Sequence, residues 1–136
     1  MDGREFLAVA RELAAGATEG HWRTATGRAY YGLFLEAREA LRRWGVAIPP
    51  KQNVHAFVRL KLVYAKDADL KMLGKDLDTL VRWRNSADYD LSRLSLFNSD
   101  KIAWQAVTTA ETSVAVLDAV EADPARLAAA IASLPP

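Results

Sequence analysis

The chain has no cysteine, which excludes disulfide staples and thiolate metal sites together. It also lacks any apolar run near the roughly 20 residues that a membrane-spanning helix needs, so no membrane contact is expected. The opening Met1-Asp2-Gly3-Arg4-Glu5 has no apolar core of a secretory signal and leads straight into an amphipathic pattern, so the expected setting is the cytoplasm. Glycine and proline are sparse, at 7 and 5 of 136 residues, and the β-branched alternation of half-buried strands is missing. The 2 histidines, His21 and His55, fall on different predicted helices without carboxylates at ligand spacing, so no metal is expected. There is no glycine-rich phosphate loop and no Ser-His-Asp arrangement, and nothing in the residues implies a cofactor. Asp67, Asp69, Asp76 and Asp78 lack calcium-loop spacing and read as helix caps and solvated surface.

What remains is an ordinary globular composition, 51% hydrophobic and 26% charged, long enough for a single domain over residues 1–136. The net charge of +1 predicts no partner, but its distribution is uneven. From Arg23 to Arg84 thirteen Lys or Arg face six Asp or Glu, an excess of +7; from Asn98 to Pro136 two face five, −3. A basic middle is compatible with a phosphate-bearing ligand, but on charge alone solvated helix faces are the favoured account.

Helix is the expectation throughout, in an all-α antiparallel bundle of four to five helices. Asp2 caps a first helix reaching about Ala15, with Phe6, Val9, Ala10 and Leu13 inward and Gly16 closing it. Thr18 opens a second helix ending at Trp44-Gly45, whose stripe runs Ala29, Tyr30, Leu33, Phe34, Ala37, Leu41 and Trp44. Pro49-Pro50 forces an extended connection. Asn53 caps a third helix to about Lys66, with Val54, Phe57, Val58 and Ala65 inward; a fourth runs from Asp67 or Asp69 to Tyr89. Leu91 to Asn98 has no period and reads as a loop. Asn98 or Ser99 caps a fifth helix to Glu121, with Ala103, Val107, Ala110, Val114 and Leu117 on one face. Asp123-Pro124 starts a short tail helix within residues 122–136. The tryptophans Trp22, Trp44, Trp83 and Trp104 read mainly as core or interface residues.

The fourth helix breaks its own rule. Leu70, Leu73, Leu77, Leu80 and Val81 mark a buried stripe, and the same spacing lands next on Arg84 and Asp88. Opposite charges stand where leucine is expected, and each needs a partner or water. Four residues apart, they can pair with each other. Either the pair is a buried lock on helix register, or the bundle opens here and the charges line a cleft or dimer seam. Arg84 suits phosphate through its bidentate guanidinium, with Asn85 and Tyr89 as neutral donors beside it. Arg28 lies nearly opposite the second helix's apolar stripe and Tyr31 on its flank, so both are ligand-facing candidates.

The run Thr26-Gly27-Arg28-Ala29-Tyr30-Tyr31-Gly32-Leu33-Phe34 resembles the Arg-Ala-Tyr-Tyr-Ala-x-Phe signature of prokaryotic HEPN domains, and Arg84-Asn85-Ser86-Ala87-Asp88-Tyr89 resembles the Arg-x-x-Ala-Asp-Tyr signature of one HEPN branch. Ala37-Arg38-x-Ala40-Leu41, Gly45-Val46 and His55 on the third helix fit the same pattern, which spans roughly Thr18 to Val120. The resemblance implies a helical bundle, a homodimer joined along the fourth-helix motif, a nucleotidyltransferase-fold partner of toxin–antitoxin type, and RNA or a nucleotide as ligand. Many HEPN domains are metal-independent ribonucleases whose motif is Arg, often Asn, then four to six residues and His. Arg84-Asn85 matches its first half, but the three allowed positions hold Tyr89, Asp90 and Leu91. Imidazole titrates near neutrality and moves protons well in RNA cleavage; tyrosine, near 10, is a poor base. Arg84, Asn85 and Tyr89 are therefore the candidate catalytic residues of an alternative reading, an active ribonuclease toxin. Arg84, Asp88, Tyr89, Arg28 and Tyr31 are the candidate ligand-binding set of the leading one, a binding module. A third reading, a purely structural interaction module, keeps Arg84 and Asp88 locked together.

Overall fold

The structure is a computed structural model that describes residues 2–92 and 94–136. Met1 of the N-terminal reading and Arg93 of the 91–98 connection lie outside the described residues. Six α-helices follow one another: α1 (Gly3–Ala14), α2 (Glu19–Arg43), α3 (Val54–Val63), α4 (Ala68–Tyr89), α5 (Lys101–Ala122) and α6 (Pro124–Ala132). Short 3₁₀ turns occupy Lys51–Asn53 and Leu94–Leu96, and the described residues contain no strand. No helix among them is long and apolar enough to cross a membrane.

Local chemistry accounts for most helix ends. Asp2, Thr18, Asp67 and Asp123 each accept a backbone N–H of the first turn, and Pro124 follows Asp123 at the first helical position. Asn53 does not cap α3: the preceding 3₁₀ turn, entered from Pro50, feeds the backbone directly into Val54, leaving its side chain unused. At α5 the helix begins at Lys101, whose N–H is met by Ser99 Oγ at 3.3 Å. Gly45 ends α2 with φ +87°, while Val46 N–H bonds Leu41 C=O and Gly45 N–H bonds Arg42 C=O, the paired closure of a Schellman turn. Gly16 closes α1 for a different reason from the one expected. Its φ is not positive; a Cβ there would stand 2.5 Å from the His21 ring, so it is small because α2 begins against it.

α1 is rotated from its expected face. Gly3, Leu7, Ala10 and Ala14 are buried, whereas Val9 is exposed and Phe6 and Leu13 sit on the margin. The small residues win because α1 and α2 approach closely: Gly3 and Gly32 leave no room for Cβ atoms between them, and Leu7 fills the gap. α2 is the central helix, packed against α1, α3, α4 and α5, with its expected stripe buried as far as Leu41 and Trp44 half-buried. Neighbours pair head to tail: Gly3 lies by Glu36 and Gly16 by His21; Arg23 reaches Ala87; Trp83 and Trp104 line one hollow while Asp76 meets Ser113. The bundle is thus antiparallel in α1–α2, α2–α4 and α4–α5. The tail helix is fastened: Arg126 bonds Asp67 and Asp69, Lys66 N–H reaches Ser133 C=O, and Ala130 is fully buried.

Candidate functional site

The α4 stripe holds through Leu80 and then shifts: Val81 is half-buried, Asp88 is exposed, and Ala87 is the last buried residue of the helix. Leu70, Leu73, Leu77, Leu80 and Ala87 are buried, and Arg84 lies on the same line with its side chain 17% exposed. Arg84 and Asp88 do pair, Nε to Oδ2 at 3.2 Å, but the angle makes this an ion contact without a hydrogen bond, so the buried Nε N–H stays unused. The guanidinium donates instead to Tyr31 Oη at 2.7 Å and to Asn85 Oδ1 at 3.2 Å. Three tyrosine rings surround it, with centres 5.8, 5.1 and 5.6 Å away for Tyr30, Tyr31 and Tyr89. Cation–π contact of this kind holds a guanidinium in place while leaving donors free.

Gly27 lets the charged turn of α4 settle closely. A Cβ there would be 3.3 Å from Asp88 Oδ1 and 3.9 Å from Arg84 Cγ, so α4 lays its charged turn directly on the α2 backbone. Beside it, Thr24, Gly27, Arg28, Tyr31 and Asp88 line a pocket of ≈ 190 Å³. Arg28 is exposed and lies over the Phe6 ring at 5.5 Å. The structure therefore brings Arg84, Asp88, Tyr89, Arg28 and Tyr31 to one place. Asn85 bonds Arg84 but also opens to the other side of α4, a groove of ≈ 560 Å³ that it lines with Thr79, Arg82, Trp83, Ser86 and Leu96. Tyr89, beside the Arg84 guanidinium, is 74% exposed, and Leu91, two residues on, is 72% exposed.

Two residues that matter here, Arg23 and Phe97, went unnoticed in the sequence, and a third, His55, was noted only as fitting the HEPN pattern. Arg23 is buried with Nη1 donating to the carbonyls of Ser86, Ala87 and Asp90, each 3.0 to 3.1 Å away, and its guanidinium lies 4.5 Å over Phe97. A cation on the last carbonyls of α4 satisfies orphan acceptors and opposes the negative end of the helix dipole. The signal was available: extending the α2 stripe back from Tyr30 by three and four lands on Thr26 and Arg23, a charge on an apolar line like Arg84. Phe97, fully buried, lies in the connection without a period to reveal it. His55, from the first turn of α3, stacks on Phe34 at 4.1 Å and shares a 2.6 Å hydrogen bond between Nδ1 and Tyr30 Oη. Burial, then Arg84 and Arg38, push its pKa down, so the imidazole is neutral at pH 7. Burial also pushes the Tyr30 hydroxyl up to about 12.

Among the described residues no three His, Asp, Glu or Cys side chains could hold a metal ion. No protein family, curated protein or solved structure matches the chain.

Proposed function

We propose that this chain is a HEPN-type binding module: a cytoplasmic homodimer that holds RNA or a nucleotide at Arg84 and works with a nucleotidyltransferase-fold partner, in the manner of a toxin–antitoxin pair. The observation that supports it is the state of Arg84, fixed by Tyr31 and three rings at an open end of the bundle yet keeping an unused N–H. Asp88 does not close the site to anions. An i,i+4 ion pair contributes about 0.5 kcal/mol, whereas charge-assisted bonds from a guanidinium to phosphate contribute about 1.5–3 kcal/mol each. A phosphate displaces the carboxylate, and Asp88 swings to solvent, where it is already 37% exposed. Arg28 and Asn85 supply further donors, and the exposed Tyr89 ring offers a base a face to stack on. Exposed Tyr89 and Leu91 form the surface a second copy would cover.

The test is light scattering on the purified chain together with anisotropy of a labelled oligoribonucleotide and of ATP. A dimer that binds either ligand, with binding lost in Arg84→Ala, supports the proposal. A monomer whose binding is indifferent to Arg84→Ala overturns it.

A further inference from the structure

His55 and Arg84 lean on the same two rings from different helices. Tyr30 lies 5.8 Å from the His55 ring and 5.8 Å from the guanidinium; Tyr31 lies 6.0 and 5.1 Å from them. Tyr30 is buried, and His55 Nδ1 is the one hydrogen-bond partner of its hydroxyl among the described residues. The Tyr30 hydroxyl is assigned as the donor because a buried O–H needs an acceptor and Nδ1 is its one neighbour, and the high pKa of Tyr30 keeps the pair neutral. Nδ1 is then the acceptor, so the ring's own proton sits on Nε2. Nε2 makes no hydrogen bond to the described residues and is not sealed from solvent, since His55 stays partly exposed. Tyr30 thereby fixes the tautomer that points an N–H outward. Stacking on Phe34 at 4.1 Å and the bond to Tyr30 Oη hold the ring plane, which leaves little orientational freedom to lose on binding.

We propose that His55 Nε2–H is a second phosphate-binding donor, acting with Arg84 beside the Tyr30–Tyr31 pair that both touch to hold the backbone of single-stranded RNA. The proposal rests on the binding reading above and adds to it a residue from α3 and a dependence on pH. The charged groups around the ring are Arg84 from α4 and Arg38 from α2, with Arg59 of α3 near Tyr30; Asp88 and Glu39 pair with Arg84 and Arg38. These cations oppose protonation of the empty site. A bound phosphodiester removes that opposition and favours the imidazolium, so His55 takes up a proton as RNA binds. Affinity therefore rises as pH falls through the His55 titration and is flat above it. A rise of about one pKa unit on binding corresponds to about tenfold in affinity.

The experiment uses the full chain and a labelled oligoribonucleotide of roughly 12 nucleotides, a length within single-strand site sizes, between about pH 5.5 and 8 where histidine titrates. With 2 histidines in the chain, His21→Gln leaves one imidazole signal to follow by NMR. The titration midpoint of His55 should move up when RNA is added, and wild-type affinity should strengthen about tenfold from the high to the low end of that range. His55→Gln, which lacks both the stacked ring and an ionisable group, should bind more weakly than wild type and lose the pH dependence. Tyr30→Phe frees the tautomer and should weaken binding at the high end only. Should His55→Gln fail to fold, the wild-type NMR titration decides. RNA binding that needs Arg84 while the His55 midpoint stays unmoved overturns this inference and leaves the binding reading standing. No RNA binding by the wild type overturns this inference, and if ATP is not bound either, the binding reading falls with it.

Discussion

Gly27 and Gly74 sit in similar helical contexts and meet different neighbours. A Cβ on Gly74 would stand 2.4 Å from the backbone nitrogen of Val63, whereas one on Gly27 meets the movable end of Asp88 at 3.3 Å. Gly74→Ala must push two helices apart and should lower stability by about 1–3 kcal/mol in denaturant unfolding. Gly27→Ala gains about 0.5–1 kcal/mol of helix preference and displaces only a carboxylate, so the melting temperature should hold or rise while the geometry around Arg84 changes. His55 carries a residue-scale prediction for pH. Its folded pKa lies below the unfolded value of 6.5, so its contribution to stability is intact above 6.5 and declines as pH falls through the lower folded value, because the unfolded chain binds the proton first. Denaturant titrations of wild type and His55→Gln should diverge only in that acid window, with the variant losing less stability there.

At the scale of elements, the end of α4 is built by a residue on another helix. Arg23 from α2 supplies the donors that the last carbonyls of α4 lack, so the turn carrying Arg84 to Tyr89 depends on it. Arg23→Met removes the bonds, leaves buried carbonyls unmet, and should cost on the order of 1–3 kcal/mol. Amide exchange should then accelerate at residues 86–90 before the rest of α4; uniform exchange across the helix would contradict this role. The caps of α1, α2, α4 and α6 could be read from single side chains because a cap is a contact within four residues. Of the face of α1 only Ala10 could, since Phe6 and Val9 look more apolar than Gly3 and Ala14, and only the closeness of α2 selects the smaller set.

For the whole molecule, the tail is part of the bundle. Arg126 bridges to Asp67, which also caps α4, and this pairing together with the cap pulls the Asp67 pKa down. Ending the chain at Ala122 should therefore lower the melting temperature and loosen the start of α4, as read by calorimetry and amide exchange. The pair Arg84→Met with Asp88→Leu separates structure from function at this scale. Half-exposed ion pairs contribute little, so the double variant should be at least as stable as wild type while RNA binding disappears. A variant that keeps both stability and binding would favour a structural role for the pair.

The sequence alone determined the helical class, the order and approximate ends of the helices, and the position of Arg84 in line with the buried leucines of α4, because each depends on neighbours within about seven residues. Arg23 obeys the same periodicity and was legible in principle; Phe97 was not, since nothing in an aperiodic connection says which residue turns inward. Only the tertiary structure could set His55 beside Tyr30 and Arg84, since the three come from α3, α2 and α4 and meet only when the bundle closes. It also decided the state of the charged pair. Spacing places two charges on one face, but whether that face is sealed or open depends on how far the neighbouring helix extends, and at Arg84 α2 covers one side while leaving the other to solvent.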